Sequence, residues 1–144
     1  MRFFVGGIQM SVTALVVDDS AAARQITSYY LREAGCTIVA EAKTALDGLE
    51  LFRRHHPNLV TLDLMMPSHF NIDSMVLLRA MKRELPEVAV IVVSVIPFEK
   101  TRDEFLQHGV SAYVVKPLND FSFQPVRRKL VQAFPELAAA GNAQ

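Results

Sequence analysis

Asp18 and Asp19 stand side by side where the apolar run of ALVVDDS stops. Asp63 follows a second apolar run, Ser94 closes a third and Lys116 follows a fourth. Adjacent like charges repel and gain nothing from burial, so their compensation is expected to come from outside the chain. Three carboxylates in one crevice would push each other's pKa upward unless a cation sat among them. Oxygen ligands with no His or Cys in ligand spacing select a hard ion such as Mg²⁺ and not zinc. The Lys116 ammonium and the Ser94 hydroxyl suit an incoming group with several anionic oxygens, shared between metal, ammonium and hydroxyl. A carboxylate beside Mg²⁺ can attack phosphorus and form an acyl phosphate.

The elements that must gather these residues are five short β-rich runs alternating with five helical patterns. The strands are expected at 13–17, 37–41, 59–62, 88–93 and 112–115, all short and mostly branched apolar, as in a parallel sheet buried on both faces. Helices are expected over 21–34, with Ile26, Tyr30 and Leu31 on one stripe and Gly35 as the stop. Others cover 45–55, closed by Pro57, then 73–84 and 98–108, the last ending at Gly109. Because Pro125 would break a helix already running, the last helix is expected to begin near it, after an irregular lead-in at 119–124. Strict alternation implies an α/β fold with helices on both faces of a parallel sheet. Right-handed crossovers put every strand C-terminus on one edge, where ligands of such folds collect. Asp18, Asp19, Asp63, Ser94 and Lys116 all fall there.

The totals restrict the function further. A chain of 144 residues is one domain by length, and 51% hydrophobic with 21% charged residues describes a globule with a core. Lys plus Arg equals Asp plus Glu at 15 each, which gives no field for nucleic acid or an anionic membrane. The single cysteine, Cys36, excludes an internal disulfide framework and fits the cytoplasm. The longest apolar stretch, 88–96, is too short to span a bilayer. Residues 1–10 are expected to be a disordered extension and 138–144 a tail.

The ordered set VVDDS (16–20), LDLMMP (62–67), VVS (92–94) and YVVKP (113–117) resembles a response-regulator receiver domain of two-component signalling, over 11–137. The resemblance implies a flavodoxin-like five-stranded parallel sheet of order 2-1-3-4-5. It makes Asp63 the phosphoacceptor, with Asp19 and Asp63 ligating Mg²⁺ directly, Met65 through its main-chain carbonyl and Asp18 through water. Ser94 and Lys116 would bind phosphoryl oxygens, and Tyr113 would be an aromatic switch coupled to Ser94. It also implies a sensor histidine kinase or phosphotransfer protein as donor, a protein target, and a homodimer formed on phosphorylation. No direct nucleic-acid contact is expected, and the only chemistry is the chain's own phosphorylation and dephosphorylation. With 26 residues after Leu118, no output module fits, so a stand-alone receiver is expected.

The chain departs from that pattern at two places. Family members usually carry an aspartate–glycine pair soon after the proline of the phosphoacceptor loop; here Pro67 is followed by SHFNIDSM, about three residues longer, with Ser74 in place of the glycine. Position 95 is Val where the family prefers a very small residue. The loop 68–74 is expected to be mobile, with Phe70 and Ile72 as its apolar anchors. Rival readings remain: Asp18 or Asp19 as a helix cap, Asp63 as a loop acid, Tyr113 as packing, and a receiver-like binding module that works without phosphorylation. A Mg²⁺-dependent aspartyl-phosphate phosphatase would place a second acid two residues beyond its nucleophile, and neither Asp63 nor Asp19 has one. Dinucleotide binding lacks its glycine-rich turn. His55, His56, His69 and His108 follow no ligand spacing, and Arg127, Arg128 and Lys129 mark an exposed helix face.

Overall fold

Ala14 and Val16 pack on one side of the central sheet, and Leu15 and Val17 on the other. The same period-2 alternation sends Ile91 and Val93 one way and Val90 and Val92 the other. This is why the central strands are almost wholly apolar: both of their faces are buried. The computed structural model describes residues 4–5, 8–9, 11–66 and 72–141.

The sheet strands are β1 (Thr13–Val17), β2 (Thr37–Ala42), β3 (Leu59–Leu62), β4 (Ala89–Ser94) and β5 (Ala112–Val115). All pair in parallel, in the order β2-β1-β3-β4-β5 expected from the resemblance. The connecting helices are α1 (Ala21–Glu33), α2 (Ala45–His55), α3 (Ser74–Glu84), α4 (Glu99–Gln107) and α5 (Asp120–Ala133). A 3₁₀ turn at Pro135–Leu137 and a short helix α6 (Ala138–Gly141) follow. Before β1, Phe4–Val5 pairs antiparallel with Ile8–Gln9; the rest of 1–10 lies outside the described residues.

Two cores result. One, with α1 and α5, includes Leu31, Phe123, Val126 and Leu130; the other, with α2, α3 and α4, includes Phe52, Leu77, Leu78, Met81 and Phe105. Each fully buried Leu or Phe contributes on the order of 1.5–3 kcal/mol relative to exposure. Helix ends follow the sequence signals: Gly35 and Gly109 have φ of 101° and 96°, the left-handed stop that only glycine adopts without strain.

Two expectations fail. Ile26 is 47% exposed, and the core positions of α1 are Thr27, Ser28 and Leu31. The last helix starts at Asp120, not near Pro125, which lies inside it. Its start is set by a capping box: the Asn119 side chain accepts from Ser122 N at 2.8 Å, and Asn119 N donates to Ser122 Oγ at 2.9 Å. Pro125 removes one hydrogen bond, to the carbonyl of Phe121 on the exposed side of the helix. Phe123 and Val126, buried on either side of it, hold the turn in place. Asn119→Ala should therefore destabilise the chain by about 1 kcal/mol in urea unfolding, with an unchanged denaturant slope. An effect below about 0.3 kcal/mol would mean that burial of Phe123 alone fixes the start of α5.

Candidate functional site

The parallel ladder delivers the acids. Asp18 N donates to the Ala42 carbonyl at 2.9 Å, and Asp63 N to the Val17 carbonyl at 3.0 Å, so both residues continue the pairing one step beyond their strands. Asp18 and Asp63 are each 3% exposed, whereas Asp19 faces solvent. A carboxylate oxygen from each of Asp18, Asp19 and Asp63 lies within 4.8 Å of the others. Two buried carboxylates and one at the rim form an all-oxygen donor set suited to a hard divalent cation with room for water.

Lys116 reaches this cluster from β5. Its Nζ donates to Asp18 Oδ2 at 2.7 Å and lies 3.9 Å from Asp63 Oδ2. Lys116 N donates to the Ser94 carbonyl at 2.8 Å, extending the β4–β5 ladder, and the Lys116–Pro117 peptide is cis. Asp63 is pushed above the usual carboxylate range, chiefly by burial and also by the charges of Asp18 and Asp19. The Met65 amide and the Lys116 ammonium pull the other way.

Local hydrogen bonds fix how the acids present themselves. Asp18 Oδ1 accepts from Ser20 N at 2.9 Å, and Ser20 Oγ accepts from Ala23 N at 3.2 Å as the cap of α1. Asp63 Oδ1 accepts from Met65 N at 3.2 Å. The capping role considered for the acids thus falls to Ser20 on α1. Two residues to which the sequence assigns no part in the site also contribute. Arg24 donates to the Asp18 carbonyl at 2.7 Å while its Nε pairs with Glu41 at 3.1 Å, tying the acidic turn to β2. Ser74 Oγ donates to the Asp63 carbonyl at 2.8 Å. Arg24 lies one turn into the helix that follows the acids, a spacing that could have flagged it; the Ser74 bond spans eleven positions and has no local signal.

Ser94 is fully buried at the end of β4, and its Oγ accepts from Ile96 N at 3.3 Å. The Tyr113 hydroxyl donates to the Ile96 carbonyl at 2.7 Å. Burial raises the Tyr113 pKa, with Ser94 acting in the opposite direction. Ser94 and Tyr113 therefore meet around one segment, 94–96. Met65 and Val95 are 57% and 55% exposed. The Cys36 thiol is buried and pushed up to about 11, so it takes no part as a thiolate. His55 and His56 are exposed, while His69, Pro67 and most of the loop 68–74 lie outside the described residues. No helix among the described residues is long and apolar enough to cross a membrane.

Known proteins with this arrangement are numerous. The response regulator receiver domain family matches residues 14–124. The chain is 30% identical to the chemotaxis protein CheY of Bacillus subtilis over 108 residues, 75% of this chain and 88% of that one. It is 28% identical to the probable C4-dicarboxylate response regulator DctR of Priestia megaterium over 121 residues, 83% of this chain and 50% of DctR. This chain thus spans about half the length of DctR and of the probable transcriptional regulator ycf27 of Porphyridium aerugineum. Among solved structures, the receiver domain of AraT from Geobacillus stearothermophilus superposes with a TM-score of 0.76 at 27% identity, covering 88% of this chain and 98% of that one. A chain of the CheX–CheY–BeF₃–Mg²⁺ complex from Borrelia burgdorferi gives 0.75 at 24% identity, covering 90% and 92%. With the parallel sheet, the acidic cluster and the strand-end lysine in place, the chain belongs to the response regulator receiver domain family.

Proposed function

We propose that this chain is the phosphoacceptor of a two-component relay, taking a phosphoryl group from a phosphohistidine onto Asp63 and signalling by protein–protein contact. The observation that carries the reading is the approach of Asp18, Asp19 and Asp63 within 4.8 Å, with Lys116 at 2.7 and 3.9 Å from two of them. One ammonium against three carboxylates leaves a deficit of positive charge that one divalent ion fills. Asp18, Asp19, Asp63 and the main-chain carbonyl of Met65 would hold Mg²⁺, with Asp18 acting through water. Mg²⁺ bound there supplies positive charge against the oxygens of the transferring group.

The chain's own residues do the rest. The Asp63 oxygen not held by the Met65 amide attacks phosphorus; an O–P bond forms as the N–P bond of the donor breaks, and the leaving imidazole keeps the electron pair and takes up a proton. Lys116 moves its ammonium from Asp18 toward the phosphoryl oxygens, and the Ser94 hydroxyl turns to them from Ile96 N. Movement of segment 94–96 loosens the Tyr113 bond to the Ile96 carbonyl and lets the ring fill the space Ser94 leaves. The unit is residues 11–137, with 1–10 and 138–144 as extension and tail. It works in the cytoplasm, catalyses only its own phosphorylation and dephosphorylation, and passes the signal to a protein target or a second phosphorylated copy, without direct contact with nucleic acid or membrane.

Three outcomes test this. With Mg²⁺ and acetyl phosphate, intact mass should show one phosphoryl group, lost in Asp63→Asn. Undiminished labelling of that variant would displace the site, and an unlabelled wild type would favour a binding module that works without phosphorylation. A crystal structure with beryllofluoride and Mg²⁺ should show Tyr113 in a changed rotamer; an unmoved ring removes the switch. Finally, the resemblance to receiver domains puts Met65, Val95 and Ile96 around the open side of Asp63, and none of their side chains can orient an attacking water. Failure to align one water costs on the order of 1–3 kcal/mol, about ten- to a hundredfold in rate. Phosphate release from the wild type should therefore take minutes or longer, and Val95→Ala with Met65→Asn should speed it about tenfold. Release within seconds, or no acceleration in the double variant, contradicts the steric and water-alignment account.

A further inference from the structure

We infer that Ser74 is a positioning residue for Asp63, its hydroxyl fixing the main-chain carbonyl of the acid so that one carboxylate oxygen stays presented to the crevice. The inference rests on Asp63 being the phosphoacceptor. Ser74 is the first residue of α3, is 5% exposed, and donates through Oγ to the Asp63 carbonyl at 2.8 Å. Its own place is fixed, because Asp73 caps α3 by accepting from Val76 N at 2.9 Å and Leu77 and Leu78 are fully buried one turn on.

Asp63 is thereby held at three atoms. Its amide donates to Val17, its carbonyl accepts from Ser74, and its Oδ1 accepts from Met65 N. The peptide plane that Ser74 holds is the one from which the Met65 turn hangs, so the hydroxyl sets the direction of the carboxylate without touching it. The remaining oxygen, Oδ2, lies 3.9 Å from Lys116 Nζ. Glycine, the residue that the family's usual pattern places here, has no atom that could make this bond. The hydroxyl sits where the lengthened loop rejoins the fold, eleven positions after Asp63, and ties that point back to the acid.

The test compares full-length wild type with Ser74→Ala, Ser74→Gly and Ser74→Thr. Acyl phosphate formation from acetyl phosphate is followed across a Mg²⁺ titration, with rates normalised to the folded fraction from urea unfolding. The maximal rate of Ser74→Ala and Ser74→Gly should fall about tenfold, with the half-saturating Mg²⁺ within about twofold of wild type and the rate restored in Ser74→Thr. In the metal-free protein, the Met65 amide resonance should move in Ser74→Ala and return in Ser74→Thr. A merely structural serine would lower stability and leave the normalised rate and that resonance unchanged. Wild-type rates in Ser74→Ala, or a rate loss matched by an equal weakening of Mg²⁺, would overturn the positioning role alone. An unlabelled wild type would overturn the phosphoacceptor reading, and this role with it.

Discussion

Mutual repulsion among Asp18, Asp19 and Asp63 is the constraint around which the rest of the structure is arranged. Two unit charges about 4 Å apart interact by about 4 kcal/mol at an effective dielectric of 20, so an uncompensated set of three is a large local cost. Lys116 offsets part of it by pairing with Asp18 at 2.7 Å, and the Ser20 and Met65 amides each satisfy one carboxylate oxygen. What is left shows in Asp63, whose pKa is raised by burial and by its two acidic neighbours. A site left short of positive charge offers the oxygen donor set of a hard divalent cation.

Such a cluster persists only on a rigid frame, and the sheet supplies one. The ladders that pair β1 with β2 and β3 run one residue further, through Asp18 N and Asp63 N, so the acids inherit the spacing of adjacent strands. Lys116 is placed the same way from β4 through the Ser94 carbonyl. The two cores on either face fix the strands, while Arg24 and Ser74 tie down the carbonyls of Asp18 and Asp63 where the ladder ends. Ser94 and Tyr113 differ in kind. The side-chain hydrogen bonds of both run to the main chain of Ile96, in the loop just past β4, rather than into the acidic cluster.

Much of this was legible before any coordinates. Runs such as Val90–Val93 read as strands because both faces are buried, and strand ends on one edge brought Asp18, Asp19, Asp63, Ser94 and Lys116 together. Other features were hidden for definite reasons. Pro125 reads locally as a helix breaker, although the Asn119–Ser122 capping box upstream and the buried Phe123 outweigh one lost hydrogen bond. Ile26 fits the apolar stripe of α1, but Thr27 and Ser28 take the core positions, which hydrophobic periodicity cannot detect. The bonds of Arg24 and Ser74 arise only when the chain closes on itself.

The central claim is that the acidic cluster costs stability without a cation and gains it with one. Urea unfolding of wild type and Asp63→Asn at pH 7, with and without saturating Mg²⁺, tests it most directly. Asp63 has a folded pKa above its unfolded value, so its ionisation costs stability as pH rises past the unfolded pKa, fully so above the folded one. Asp63→Asn removes that cost. Without Mg²⁺ the variant should therefore be the more stable protein. With Mg²⁺ the wild type should gain and close or reverse the gap, since the ion binds the folded state and the variant has lost one ligand. A wild type already more stable without Mg²⁺, or an equal response of the two proteins to the ion, would contradict the account.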